Sequence, residues 1–193
     1  YAHAPILKDL TLGFSSLQKM KTFLDSAPMN GIKIRGKSDV LLTVRFAVKD
    51  LQRASEFFDN AEEQIDPQFN YRLRTPVLPR AEFLEGEKSF GAGAVTWLGV
   101  SDERQDWGRG VKVAVLDSGV DHTHSNLAGV AMEEIDLVGS GDSSTGHGTA
   151  VASIIAGNEG GQLGLAPAVS LLSIRVLNSE GEGDSFTVAE GIV

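Results

Sequence analysis

The sequence predicts an α/β protein made of two successive parts. Three observations carry that prediction. Residues 5–75 alternate strand-like and helix-like periodicity in the order βαββαβ. From about Trp107 onward, strand and helix alternate around "VKVAVL" (111–116), an apolar run interrupted only by Lys112. Between them, a stretch with Pro76, Pro79, Gly86 and Gly91 reads as extended linker. The expected organisation is therefore 5–75, a connection over 76–106, and 107–193.

In the first part, "LKDLTLGF" is the first strand. "SSLQKMKTFLDSAP" follows as a helix, with Ser15 or Ser16 as N-cap and Leu17, Met20 and Leu24 at helical spacing. Pro28, Asn30 and Gly31 stop it. "GIKIR" and "VLLTVRFAV" are strands joined by a hairpin-like turn at Gly36-Lys37-Ser38-Asp39. Leu42, Val44 and Phe46 are expected on one face of the second. "KDLQRASEFFDNAEEQI" is a helix with Leu51, Ala54, Phe58, Ala61 and Ile65 on its apolar stripe. "FNYRLRT" is the fourth strand, with Phe69, Tyr71 and Leu73 inward. This order predicts a ferredoxin-like antiparallel sheet with helices on one face.

In the second part, "VKVAVL" is expected to be buried on both faces of a parallel sheet. "EIDLV" and "SLLSIRVL" add two strands, and a helix over roughly 148–156 lies between them, closed by Gly157. "DSFTVAEGIV" opens another helix with Asp184 as N-cap. A chain that begins at Tyr1 and stops inside a helix reads as a fragment. "AHA" (2–4) has the look of a signal-peptidase site, though no apolar segment precedes it.

Composition narrows the function. The net charge of -9 argues against a nucleic-acid partner. No apolar run has the length of a membrane span, and with no cysteine there is neither a disulfide framework nor thiolate chemistry. Residues 1–75 carry slightly more basic than acidic side chains, and residues 76–193 are strongly acidic. The two parts therefore suit mutual docking.

Two residues stand out chemically. Asp117 ends the strand "VAVLD", and carboxyl ends of parallel strands are where α/β proteins build sites. His147 lies between Gly146 and Gly148 at the start of a helix, in "TGHGTAVASIIAG". The glycines allow close approach to the ring. The positive end of the helix dipole favours the neutral imidazole, the form that acts as a base. An aspartate that orients a histidine is two-thirds of a nucleophile-activating triad.

"VKVAVLDSGVDHTHSNL" and "TGHGTAVASIIAG" resemble the aspartate and histidine motifs of the subtilisin-like serine peptidases, the subtilases. "LGLAPAVSLLSIRVLNSEGEG" resembles the stretch that follows the histidine motif in that family. The Asp-before-His order is the one established for subtilisin itself. The resemblance implies a subtilisin-like parallel-sheet domain that hydrolyses peptide bonds in polypeptide substrates. Asp117 would hold the tautomer of His147, which would act as the general base. Gly181, Glu182 and Gly183 match the edge along which the family lays an extended substrate, and Leu177 would line a side-chain pocket. The family also implies that 5–75 is a prodomain that assists folding and inhibits. It would contact the catalytic part intramolecularly and be cut off within 77–90, in a zymogen bound for secretion or the cell envelope.

The match has limits. No serine here sits in the G-T-S-M-A-like motif of the family's nucleophile, so this chain alone is expected to lack triad catalysis. Loss of that serine in subtilisin costs about 10⁶ in rate. "AGNEGGQLGLAP" is shorter than the calcium loop of many subtilases, and Asn126 replaces a ligating aspartate. The sequence thus predicts no metal site here, with calcium left open for the parent protein. Two other readings compete. One is a metal-dependent hydrolase built on the His122 and His124 pair of "DHTH" with Asp117 and His147. The other is a non-enzymatic pseudo-peptidase or prodomain-type inhibitor.

Overall fold

A computed structural model describes residues 5–59, 67–75, 95, 98–100, 103–139, 146–158 and 163–193. The linker 76–91 and the Ala61 and Ile65 end of the second helix lie outside the described residues. In chain order the elements are β1 (Pro5–Gly13), α1 (Leu17–Ser26), β2 (Ile32–Ser38), β3 (Thr43–Val48), α2 (Leu51–Asp59) and β4 (Gln68–Arg74). Then come β5 (Lys112–Asp117), β6 (Met132–Asp136), α3 (Gly146–Ala156), β7 (Ser170–Arg175), β8 (Glu182–Asp184) and α4 (Ser185–Ile192). The chain divides into two compact units, Tyr1–Leu73 with Asp184–Val193, and Arg74–Gly183. This division differs from the sequence-based one in grouping the last ten residues with the N-terminal strands.

In the first unit the strands run in the order β2-β3-β1-β4, and every pairing in the register is antiparallel. Leu12, Val44 and Phe46 share one sheet face and pack on Met20 and Phe23 of α1 and Ala54 of α2. The Phe23 ring is ringed by Phe14, Phe46, Phe57 and Phe58 at centroid distances of 5.3–6.5 Å. Ser16 is the N-cap of α1, its side chain accepting from the Lys19 N–H at 3.3 Å. Gly31 ends the following 3-10 turn in the left-handed conformation (φ +74°) that its missing Cβ permits.

Three expectations for this unit are corrected. The β2–β3 turn lies at Asp39–Leu42, so Leu42 (φ +49°) belongs to the turn rather than to the strand face. Gly36 sits inside β2 at a register break opposite Arg45, not at the turn. In β4, Phe69 and Tyr71 are 49% and 40% exposed, whereas Asn70 is fully buried. Register places Phe69 on the same face as Leu10. The strand is nonetheless anchored through the opposite face, where Asn70 Oδ1 accepts from the Ser185 hydroxyl at 2.8 Å and the Phe186 N–H at 3.1 Å. These bonds satisfy Oδ1, whereas Nδ2 is buried without a hydrogen-bond partner among the described residues, and alternation of apolar residues cannot reveal such an anchor.

In the second unit β5, β7 and β6 form a parallel sheet in the order β5-β7-β6. The third strand in sequence is inserted between the first two. β5 is consequently an edge of this three-stranded order, with Lys112 and Ala114 exposed, rather than a strand buried on both faces. The central place belongs to β7, whose Leu171, Ser173, Ile174 and Arg175 are buried. Ala152 and Ala156, one turn apart on α3, are fully buried beside Val115, Leu127 and Leu171. Gly157 follows α3 without a left-handed turn. A Cβ there would lie 2.5 Å from both the Asn126 side-chain nitrogen and the Ser153 carbonyl, so close packing, not φ, requires glycine.

Candidate active site

Asp117 is the last residue of β5, and its backbone carbonyl accepts from the N–H groups of Val176 and Leu177 at 2.9 and 3.1 Å. The end of β7 thereby fixes the main chain under the carboxylate. The residue is only 7% exposed. Its Oδ1 accepts from the Ser118 N–H at 2.7 Å. Gly119 then turns the chain with φ +90°.

His147 reaches this carboxylate from the first turn of α3. Its Nδ1 lies 2.9 Å from Asp117 Oδ1 and 2.8 Å from Oδ2, so both oxygens address one ring nitrogen. Half of the imidazole side chain remains exposed. An ionised carboxylate only accepts hydrogen bonds, so Nδ1 carries the proton in this pair. Nε2 of the neutral ring is then left with its lone pair, the state a general base needs.

The two glycines beside His147 differ in role. A Cβ on Gly148 would overlap the Gly119 carbonyl oxygen and lie 3.0 Å from its carbon and 3.3 Å from Asp117 Cβ. The Gly148 N–H meets the Ser118 hydroxyl at 3.3 Å. Gly148 thus permits α3 to abut the end of β5. Among the described residues, nothing lies within 4 Å of where a Cβ on Gly146 would stand. Ser118 and Gly119 had no role in the sequence reading. Their signal was the "DSG" that directly follows the strand.

Leu177, Gly181, Glu182 and Gly183 lie just beyond β7. Leu177 is buried. A Cβ on Gly183 would meet the Val176 carbonyl oxygen at 2.5 Å and the Leu177 side chain at 2.7 Å. Gly181 has φ +71°, and its carbonyl accepts from the Thr75 N–H at 2.9 Å. Glu182 pairs with Arg74 at 2.5 Å, and its N–H donates to Asn178 Oδ1 at 2.9 Å. The segment 181–182 therefore receives the extended residues Arg74 and Thr75 alongside it.

The "DHTH" side chains are engaged locally. His124 Nδ1 accepts from the Asn126 N–H at 3.3 Å, and His122 lies 3.6 Å from Glu134. Hydrogen bonds from the Thr123 hydroxyl and N–H hold the Asp121 carboxyl below the usual carboxylate range. Among the described residues, no group of three or more His, Cys, Asp or Glu side chains is arranged to hold a metal. The Asn126 side-chain nitrogen abuts Gly157, and the Asn126 backbone carbonyl accepts from the Asn158 N–H at 2.8 Å. Among the described residues no helix is long and apolar enough to cross a membrane.

Residues 108–193 match the model of the subtilase family, the segment that holds Asp117 and His147. Over these residues the chain is similar to the subtilase family. The chain is 37% identical to thermitase of Thermoactinomyces vulgaris over 91 residues, covering 44% of this chain and 33% of that protein. It is 42% identical to an intracellular serine protease of Paenibacillus polymyxa over 97 residues, covering 46% of this chain and 30% of that protein. The chain thus spans a third or less of these curated relatives. Among solved structures, fervidolysin from Fervidobacterium pennivorans, a keratinolytic enzyme related to subtilisin, superposes with a TM-score of 0.70 at 20% identity. That superposition covers 98% of this chain and 34% of that one. A mutant of the epidermin leader peptide processing serine protease from Staphylococcus aureus gives a TM-score of 0.62 at 15% identity, over 95% of this chain and 46% of that one. At such identities the likeness shows the fold, a mixed α/β architecture with a parallel sheet.

Proposed function

We propose that these residues are part of a subtilisin-like serine endopeptidase made as a zymogen. The observation that carries this reading is the Asp117–His147 pair. Two carboxylate oxygens hold one imidazole nitrogen at 2.8–2.9 Å, and half the ring stays open to a reactant. In the proposed reaction the longer protein supplies a serine. Nε2 of His147 takes the hydroxyl proton as the serine oxygen attacks a peptide carbonyl. The imidazolium, stabilised by the ionised Asp117, then gives that proton to the departing amine. Removing the orienting carboxylate from such a triad costs about 10⁴ in kcat.

The edge 181–183, with Leu177 beside it, is the proposed seat of an extended polypeptide substrate. The backbone pairing of Thr75 with Gly181 supports this, because any peptide presents the same N–H groups. Residues 5–75 are the proposed ferredoxin-like prodomain, supported by their βαββαβ element order and the strand order β2-β3-β1-β4. Processing would fall within 77–90, and the mature enzyme would act outside the cytoplasm or in the cell envelope.

The test uses the full-length protein and a fluorogenic peptide library. Turnover is expected, with His147→Ala lowering it by about 10⁴ or more and N-terminal sequencing placing the cut within 77–90. Undiminished turnover in His147→Ala would overturn the assignment of the base. Mature enzyme with an intact linker would overturn the zymogen reading.

A further inference from the structure

The sheet face of the first unit opposite α1 and α2 carries buried charge. Asp9 is 1% exposed, and a lone carboxylate there would be strongly disfavoured. Arg45 satisfies it, with Nη2 donating to Oδ2 at 2.7 Å and Nε lying 3.1–3.2 Å from both oxygens. Arg35 stands at 3.6 Å from the same carboxylate. The residue before Asp9, Lys8, has φ +66°, a left-handed conformation rare for a side-chain-bearing residue. It lies where the register of β1 against β4 shifts, between Pro5 and Leu10.

The other arm of the same guanidinium reaches the end of the chain. Arg45 Nη1 donates to Asp184 Oδ2 at 2.9 Å. Asp184 divides its oxygens between two tasks. Oδ1 caps α4 by accepting from the Thr187 N–H at 3.0 Å, and Oδ2 takes Arg45. Burial opposes the charge on Arg45, yet hydrogen bonds and ion pairs with Asp9 and Asp184 keep its pKa above the ordinary value. The next two residues are also read. The Ser185 hydroxyl and the Phe186 N–H both donate to Asn70, and the Phe186 ring lies 3.3 Å from where a Cβ on Gly36 would stand.

Capping alone does not require aspartate, because Ser, Thr or Asn would satisfy the same N–H groups about equally well. Only an ionised carboxylate also answers the second arm of Arg45. We propose that Arg45, preset by Asp9, is the residue by which the N-terminal sheet recognises the helix start Asp184-Ser185-Phe186. The partner it fits is a helix with an aspartate N-cap and an aromatic second residue. The latch is a specificity and release element. Its regulatory consequence rests on the prodomain reading above, while the contact can be measured without any turnover.

The experiment is native-state amide exchange on the full chain, read at the Phe186 and Thr187 N–H groups. Asp184→Asn and Arg45→Met should each lower protection of Phe186 about ten-fold or more, the scale of a hydrogen bond between charged groups. Amides of β5 and β7 should keep theirs. The double variant should be no worse than the more damaging single one, since both remove one interaction. Arg45→Lys, which keeps the charge but loses the fork, should fall between. Should Arg45→Met unfold the sheet, Asp184→Asn decides, because it leaves the Arg45–Asp9 pair in place. Phe186 protection within about two-fold of the parent chain in Asp184→Asn, or independent losses that multiply in the double variant, would overturn the proposal.

Discussion

Alanine at the two glycines beside His147 should have opposite effects. At Gly148 a new Cβ stands 3.0 Å from the Gly119 carbonyl carbon and closer still to its oxygen. Ordinary carbon–carbon contacts begin near 3.5 Å, so α3 and the end of β5 must part by at least about 0.5 Å. The pressed atoms are backbone, and no side-chain rotation relieves them. The same movement stretches the 2.8 and 2.9 Å contacts between His147 and Asp117 toward the limit of a hydrogen bond. Overpacking of this kind costs about 1–3 kcal/mol, against which the better helix propensity of alanine returns up to about 1 kcal/mol. At Gly146 the Cβ meets nothing within 4 Å among the described residues, so alanine there should be neutral or stabilising by up to about 1 kcal/mol. Urea unfolding of the two variants, followed by circular dichroism, measures the difference. A Gly148→Ala chain as stable as Gly146→Ala would refute the claim that the Asp117–His147 geometry depends on that close approach.

Two further outcomes follow from packing and hydrogen bonding. Phe23→Ala removes the ring at the centre of the aromatic cluster of the first unit, and should cost about 3–5 kcal/mol by urea unfolding, a far larger loss than Leu17→Ala on the exposed side of α1. Thr123→Ala should return the Asp121 carboxyl toward the usual carboxylate value, about 3.9, in a ¹³C carboxyl titration. Because the folded-state pKa of Asp121 is depressed, its small contribution to stability is complete above the unfolded value and is lost as pH falls through the folded one.

Much of the local structure was legible in the chain. Ser16 as an N-cap, Gly31 as a stop and Asp184 as a cap all act within a few residues of themselves, and local hydrogen bonds decide them. Asp117 and His147 were legible for a related reason, since the end of an apolar strand and a glycine-framed helix start mark where side chains converge. The buried Asn70 and the Asp9–Arg45 pair were not. Each reads as an ordinary surface residue until its partner is known, and the partner of Asn70 lies 115 residues away.

By itself the sequence determined the order of the helices and of the strands other than β8, the likeness of residues 108–193 to the subtilase family, and the choice of Asp117 and His147 as candidates. Periodicity, caps and motifs are written over short distances, so they survive without coordinates. Tertiary structure decided the insertion of β7 between β5 and β6, the division of labour between Gly146 and Gly148, and the burial of Asp9, Arg45 and Asn70. Those outcomes depend on which atoms from distant parts of the chain meet at a few ångströms. Steric overlap and charge pairing are set by that meeting, not by residue type.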